Sequence, residues 1–242
     1  MSISKTDEAD AAVLDVPRRR GRPPNPRGNR QGTLTRTKIL KAAERLFGER
    51  GYDGVSLREI TAAAGVDLAL INYHFQTKEN LFAQVLARRS TIVARDRFSR
   101  LDAARAEGRA LTLDAILAAF FDPIFERLAR PSRGWRAYGR LIAQVTIEQR
   151  HVAIVTQEHD PTARTFIAAL GEVLPTLSKD TLIHGYLLMI GAMIQYLAQT
   201  DRLVRLSDQR LPADDFATAE QMLTDFVRGG LRELEAGSRR GA

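Results

Sequence analysis

Apolar residues recur along this chain at intervals of three and four, the period of one face of a helix, and no stretch of useful length alternates as a strand would. The spacing predicts a first helix with Ile39, Ala43, Leu46 and Phe47 on one side, ending at Gly51-Tyr52. A short helix follows, with Leu57, Ile60 and Ala64 on its face and Ser56 placed to cap it. Gly65 then supplies a left-handed turn that a Cβ would resist. Asp67 is placed to cap a third helix that buries Leu70 or Ile71 and ends near Tyr73 and Phe75, and Thr77 to cap a fourth. Two short helices joined by a glycine turn are the sequence form of a helix-turn-helix, whose second helix is free to lie in a DNA major groove.

Farther on, the same period predicts a helix from Lys78 to about Ala106, broken by Gly108. Helices are also expected from Thr112 or Leu113 to Ala129 with a kink or split at Pro123, and from Gly134 to about Glu158. Pro161 to Leu174 reads as a helix with Asp160 as its cap, and Ser178 to Thr200 and Asp214 to Glu235 complete the set. The predicted fold class is all-α. Leu182 to Leu197 is apolar nearly all round, and the last helix has a broad apolar face through Phe216, Leu223, Phe226 and Leu231. These two helices are candidates for an isologous four-helix dimer interface, where Gly185, Gly191 and Ala192 would permit close approach; filling of the monomer core is the alternative.

Charge sharpens this picture. Across 242 residues the formal net charge is +7, which favours a polyanionic partner. Between Pro17 and Lys38 the chain carries basic residues and no acid, interleaved with Pro, Gly and Asn, and is expected to be disordered through residue 33. Arg20-Gly21-Arg22-Pro23 resembles the core of an AT-hook, so Arg20 and Arg22 become candidates for a narrow A·T-rich minor groove, with Arg36 a further DNA contact; a solubilising tail is the other reading. With no cysteine, disulfides, thiol nucleophiles and cysteine-based zinc sites are excluded. His74, His151, His159 and His184 show no metal-ligand spacing; His151 and His159 read as solvated helix-end residues and His184 as a core or pocket residue. No P-loop, dinucleotide or G-x-S-x-G motif occurs, so neither an enzyme nor a cofactor is expected. The N-terminus lacks the apolar run of a signal peptide, and the run from Tyr186 to Ile194 is too short to span a bilayer, so no membrane association and a cytoplasmic location are expected.

Ile39-Leu40, Ala42-Ala43, Leu46-Phe47, Gly51-Tyr52, Ile60, Ala64-Gly65-Val66, Tyr73-His74-Phe75 and Lys78-Glu79-Asn80-Leu81 together resemble the DNA-binding domain of the TetR family of transcriptional regulators. The likeness covers residues 34 to 82. It implies a three-helix DNA-binding domain at 34–82 after a basic arm at 1–33, then a helical effector-binding and dimerisation domain at 83–236 and a tail at 237–242. It further implies a homodimeric repressor, released from a palindromic operator on double-stranded DNA by a small-molecule effector. By the family's pattern Leu68, Ala69, Leu70 and Asn72 face bases, and Tyr73, His74 and Lys78 face phosphates. Asn72 is the best base reader, since its amide matches adenine N6 and N7, and Ser56 at a helix N-terminus can meet a phosphate. Asp67-Leu68-Ala69-Leu70 departs from the small hydroxyl or glycine residues usual at the start of this helix. Candidate effector contacts are Phe121, Phe125, Trp135, Tyr138, Phe166, Met189 and Met193. The Asn72 to Phe75 variant and the Leu113 to Tyr138 stretch look similar to the fatty-acid-responsive repressors of the family, which implies an acyl-chain-like effector. Two other functions stay open: an architectural A·T-binding protein dominated by the arm, and a small-molecule binding protein without operator recognition.

Overall fold

The computed structural model describes residues 26–106 and 110–240. Its helices are α1 (Pro26–Arg50), α2 (Leu57–Ala64), α3 (Leu68–Phe75), α4 (Lys78–Ala106), α5 (Leu113–Ala129), α6 (Arg133–Ile147), α7 (Val152–Val173), α8 (Lys179–Leu197), α9 (Arg202–Leu206) and α10 (Phe216–Arg240). Among the described residues no strand forms, and no helix is long and apolar enough to cross a membrane.

The first three helices close on the start of α4 around Ile39, Phe47, Ile60, Ile71, Phe75 and Phe82, all essentially without exposure. Ser56 caps α2 as its spacing predicts. Its Oγ accepts the Glu59 N–H at 3.2 Å, while the Glu59 carboxylate accepts the Ser56 N–H at 2.7 Å, a reciprocal capping box. Gly65 has φ 63°, the left-handed turn expected between α2 and α3. On α3 the buried residues are Ile71 and Phe75, and Leu70 faces outward. Asp67 stands at the cap position of α3 but makes no side-chain capping bond. Gln76, at φ 65°, is the centre of a γ-turn closed by the Thr77 N–H on the Phe75 carbonyl at 2.7 Å. This is the rarer, strained hand of that turn, and it swings the chain abruptly into α4.

In the second domain α5 is the centre, flanked by α4 and α10 and contacted by α6 and α7. Phe120 meets Phe121, Phe166 and Tyr186 edge to face, with centroids 5.5, 5.0 and 5.8 Å away.

Several predicted boundaries move, each for a tertiary reason. α1 begins at Pro26, so the part of the basic segment from 26 to 33, expected to be unstructured, is helical. α10 runs to Arg240 instead of fraying from 237: the buried Glu235 carboxylate binds Arg232 at 3.1 Å and Arg239 at 2.8 Å, and Ser238 donates to the Thr176 carbonyl. The helix expected from Gly134 to Glu158 breaks, with a 3-10 turn at Gln149–His151 between α6 and α7. There the His151 ring is buried against Tyr52 and Phe82, at 5.3 and 4.9 Å, and Arg150 pairs with Asp53 of the first domain. Docking on the first domain outweighs the local preference for continued helix. Pro161, expected to open a helix behind Asp160, lies inside α7, and Pro123 lies inside an unsplit α5. Buried Thr162, Phe166, Ala169 and Leu170 of α7 continue the face begun by Ile154 and Val155, and that packing offsets the one backbone bond a proline forfeits. The short α9 has no buried residue and no counterpart in the predicted set.

Candidate functional site

The outer surface of α3 is the first candidate site. Ala69, Asn72 and Tyr73 are exposed, Tyr73 by 80%, while Leu70 is 37% exposed and Leu68 and His74 are half-buried. The backbone carbonyl of Asn72 accepts the Gln76 N–H, but its side-chain amide has no hydrogen-bond partner among the described residues and is available to a base edge. The Tyr73 ring meets the His74 ring edge to face at 5.0 Å and is otherwise free of the core. Lys78 is half-buried, with Nζ 4.2 Å from the centre of the Tyr52 ring. Tyr52 in turn donates to Glu79 at 2.6 Å, and burial together with that carboxylate holds its hydroxyl far above the usual phenol range. Arg36 donates to Gln84 of α4 and lies over the Phe75 ring at 5.6 Å. The backbone of α1 at Gly32 passes His74 near the end of α3. Arg20 and Arg22 lie outside the described residues.

Of the two roles expected of Ser56, capping α2 and meeting a phosphate, the geometry favours the first. Its hydroxyl donates to Glu59 Oε2 at 2.8 Å, and the Glu59 carboxyl is held down to about 2 by the Ser56 N–H and by Arg50. A phosphate there would meet a carboxylate, so the geometry gives Ser56 a capping role. Asp67, uncapped and exposed, adds a second negative charge at the start of α3.

Behind this surface the two domains meet through α1, α4 and α6. A Cβ on Gly48 of α1 would lie 2.6 Å from the Ala137 carbonyl oxygen of α6, so the two backbones touch where only glycine fits. Arg140 of α6 donates to the Gly48 carbonyl at 3.1 Å. Glu44 of α1, buried, takes a bidentate pair from Arg89 of α4, whose second bond is 2.8 Å long.

The second candidate site is a cavity of about 330 Å³ among α4, α6, α7 and α8. Val93, Ile142, Val155, Ile167, Ile190 and Ile194 supply much of its apolar wall, and Arg97, Tyr138, His159 and Tyr186 are among its polar groups, with Asp160 and Arg164 also in the wall. Burial and the neighbouring Arg97 push the His159 ring down to about 4, and burial raises the Tyr186 hydroxyl to about 12. His159 is therefore a neutral wall residue, not the solvated helix-end group expected. His151 is buried at the domain contact, and His184 is exposed on α8 instead of lying in a core or pocket.

Of the predicted effector contacts, Tyr138 and Met193 line this cavity. Phe121, Phe125 and Phe166 do not; they are at most 1% exposed and fill the core around α5. Trp135 lies between the guanidinium groups of Arg89 and Arg127, at 4.3 and 5.0 Å from its ring, and so stands outside the wall. Met189 belongs to a separate surface groove between α8 and α10. Arg97, His159 and Tyr186 were missed by the sequence reading. For Arg97 the signal was present: Leu86, Ser90, Val93, Arg97 and Leu101 follow the helical period of the buried stripe of α4, which puts an arginine at an apolar position.

The groove between α8 and α10 borders an exposed apolar face, with Leu188 70%, Phe226 74% and Met222 52% exposed. Gly191, Gly229 and Gly230 have open space above them, whereas Gly185 already receives Leu231 of α10 and Ala192 packs on the core. Of the three small residues expected to admit another helix, Gly191 remains.

Residues 39–85 match the model for bacterial regulatory proteins of the tetR family, and residues 118–230 match that for the tetracyclin repressor-like C-terminal domain. The transcriptional repressor AcnR of Corynebacterium glutamicum is 44% identical over 50 residues, covering 21% of this chain and 27% of that protein. The repressor BepR of Brucella suis is 43% identical over 54 residues, covering 22% and 26%. The chain thus matches about a quarter of the length of these curated relatives. Solved structures share the fold over most of their length. FadR of Bacillus subtilis in complex with stearoyl-CoA has TM-score 0.59 at 15% identity, covering 79% of this chain and 96% of that one. A regulator of Saccharomonospora viridis in complex with choline has TM-score 0.54 at 18% identity, covering 81% and 96%.

Proposed function

The chain belongs to the TetR family of transcriptional regulators, and from that premise we propose that it is a homodimeric repressor, released from a palindromic operator by a small, largely apolar effector. The observation that carries the ligand-responsive part is the double duty of α6. Tyr138 and Ile142 face the cavity, while Ala137 and Arg140, on the same helix, bear on Gly48 of α1. An effector that displaces α6 must therefore move α1 or separate from it, and α1 carries the core on which α3 rests.

In the proposed complex each subunit lays α3 in the major groove, with Asn72 reading a base and Ala69 against thymine methyls. Leu68, which is half-buried, and Leu70 add apolar contact at its rim. Tyr73, His74, Lys78 and Arg36 contact phosphates. The exposed face of α8 and α10 supports dimerisation, since an apolar surface of this kind ordinarily marks an interface. Effector binding favours the arrangement with the wrong spacing of the two α3 helices, and release is set by the effector's differential affinity for the two states. A regulator of this kind works on DNA in the cytoplasm. AcnR and BepR, both named repressors, and FadR in its stearoyl-CoA complex are the precedents for this reading.

Selection of bound duplexes from a random pool, followed by footprinting, tests it. A two-fold site with half-sites about one helical turn apart is expected. A diffuse A·T-rich footprint would favour an architectural protein, and no footprint a small-molecule binding protein.

A further inference from the structure

Arg97 is the most unusual residue of the cavity. It is 8% exposed, on the buried stripe of α4. Its Nε donates to the Phe120 carbonyl at 2.8 Å, its guanidinium lies 3.7 Å from the centre of the Phe120 ring, and Nη2 is 3.9 Å from Met193 Sδ. Among the described residues it makes no ion pair. Asp160, the acid in the cavity wall, is 4.0 Å from Arg164, and Glu158 accepts from Ser90. An arginine cannot shed its proton to escape burial, so an unpaired one carries a desolvation penalty that no charge among the described residues offsets. Burial pulls its pKa down to about 10.

The groups around it are suited to an anion. Tyr138 and Tyr186, whose charges would couple to Arg97, line the same cavity, and neither hydroxyl has a hydrogen-bond partner among the described residues. Both remain protonated near neutral pH and can donate. Most of the remaining wall is apolar, and the volume of about 330 Å³ lies at the small end of the range for small-molecule sites.

We propose that this cavity takes a carboxylic acid with an apolar body, its carboxylate paired with Arg97 and hydrogen-bonded by Tyr138 and Tyr186, and its chain lying among Val93, Ile142, Ile190 and Ile194. The proposal rests on the cavity being the effector site and adds the charge and head group of the effector. Of the two arginines in the wall, Arg164 lies 4.0 Å from Asp160 and Arg97 has no acidic partner among the described residues, so Arg97 matches one anionic head. It rejects a quaternary ammonium by like charge, and a neutral alcohol leaves the guanidinium unpaired.

Calorimetry on the full chain with fatty acids from hexanoate to tetradecanoate, the matching alcohols and the matching alkyltrimethylammonium ions tests this. The best carboxylate should bind at least roughly tenfold more tightly than its alcohol, and the cation should not bind. Arg97→Met should abolish that preference, and Arg97→Lys should retain part of it. Without ligand, Arg97→Met should melt no lower than the parent, because it removes an uncompensated buried charge. Equal affinity for acid and alcohol, tighter binding of the cation, no binding by any acid, or an Arg97→Met protein that melts well below the parent would each overturn the proposal. Failure of the repressor reading looks different: the acids bind with the expected preference, but the protein stays on the selected operator.

Discussion

Gly48→Ala is a test in which the sign of the effect decides. In an ordinary helix, replacing glycine by alanine stabilises by about 0.8–1 kcal/mol. At Gly48 the new Cβ would meet the Ala137 carbonyl oxygen at 2.6 Å and its Cα and Cβ at 2.9 Å. Non-bonded carbons rest at about 3.5–4.0 Å, so α1 and α6 must separate by roughly 0.6–1 Å. The obstacle is backbone, which no side-chain rotation relieves, and the Arg140 bond to the Gly48 carbonyl, now 3.1 Å, lengthens with the gap. Overpacking of this kind costs about 1–3 kcal/mol. For a chain of this size that corresponds to a fall of roughly 2–12 °C in melting temperature by calorimetry. The same variant should weaken the coupling between effector and operator, measured as the ratio of effector affinities with and without DNA, while effector affinity for the DNA-free protein changes little. A variant that melts higher than the parent, or that couples the two ligands as strongly, would refute the claim that this contact joins the domains.

Three further outcomes are expected. Phe226→Glu, on the exposed apolar face, should give monomers in sedimentation and lose operator affinity with the linked half-site, whereas an intact dimer would move the interface elsewhere. Asn72→Ala should cost about 1–3 kcal/mol on the selected operator and relax preference at one position per half-site in anisotropy titrations; equal losses on random DNA would remove it from the base readers. His159, neutral in the fold because its pKa lies near about 4 against 6.5, contributes stability that is complete above pH 6.5 and is lost as pH falls toward 4. The loss amounts to about 2–3 kcal/mol, and His159→Gln should remove that part of the pH dependence in denaturant titrations; an unchanged pH profile would show that the ring is solvated.

The first domain was almost wholly legible in the sequence because its signals are local. Ser56 three residues before Glu59 forms a capping box, Gly65 holds a left-handed turn, and Phe75 is buried while Tyr73 is not. Each depends on neighbours within one or two turns of the chain. The bounds of α4, α5 and α8 were legible for the same reason, through Thr77, Thr112 and Ser178 at their starts. The sequence also determined the all-helical class and the apolar character of α8 and α10.

What it left open depended on partners distant along the chain. Whether an aromatic ring fills a core or walls a cavity is decided by what lies across from it. Phe121, Phe125 and Phe166 face other helices of the core, whereas Tyr138 faces empty space. The helix break before α7 exists because His151 finds Tyr52 and Phe82, both far upstream in the chain, a contact no helical period encodes. Arg97 was visible as an arginine on an apolar stripe, but a stripe position can also place a charge on a partner's carboxylate or at the protein surface. Only the packing of α4 against α6, α7 and α8 decided that it stands in a largely apolar cavity with no ion-pair partner among the described residues, because burial and charge pairing are properties of the assembled helices and not of any one of them.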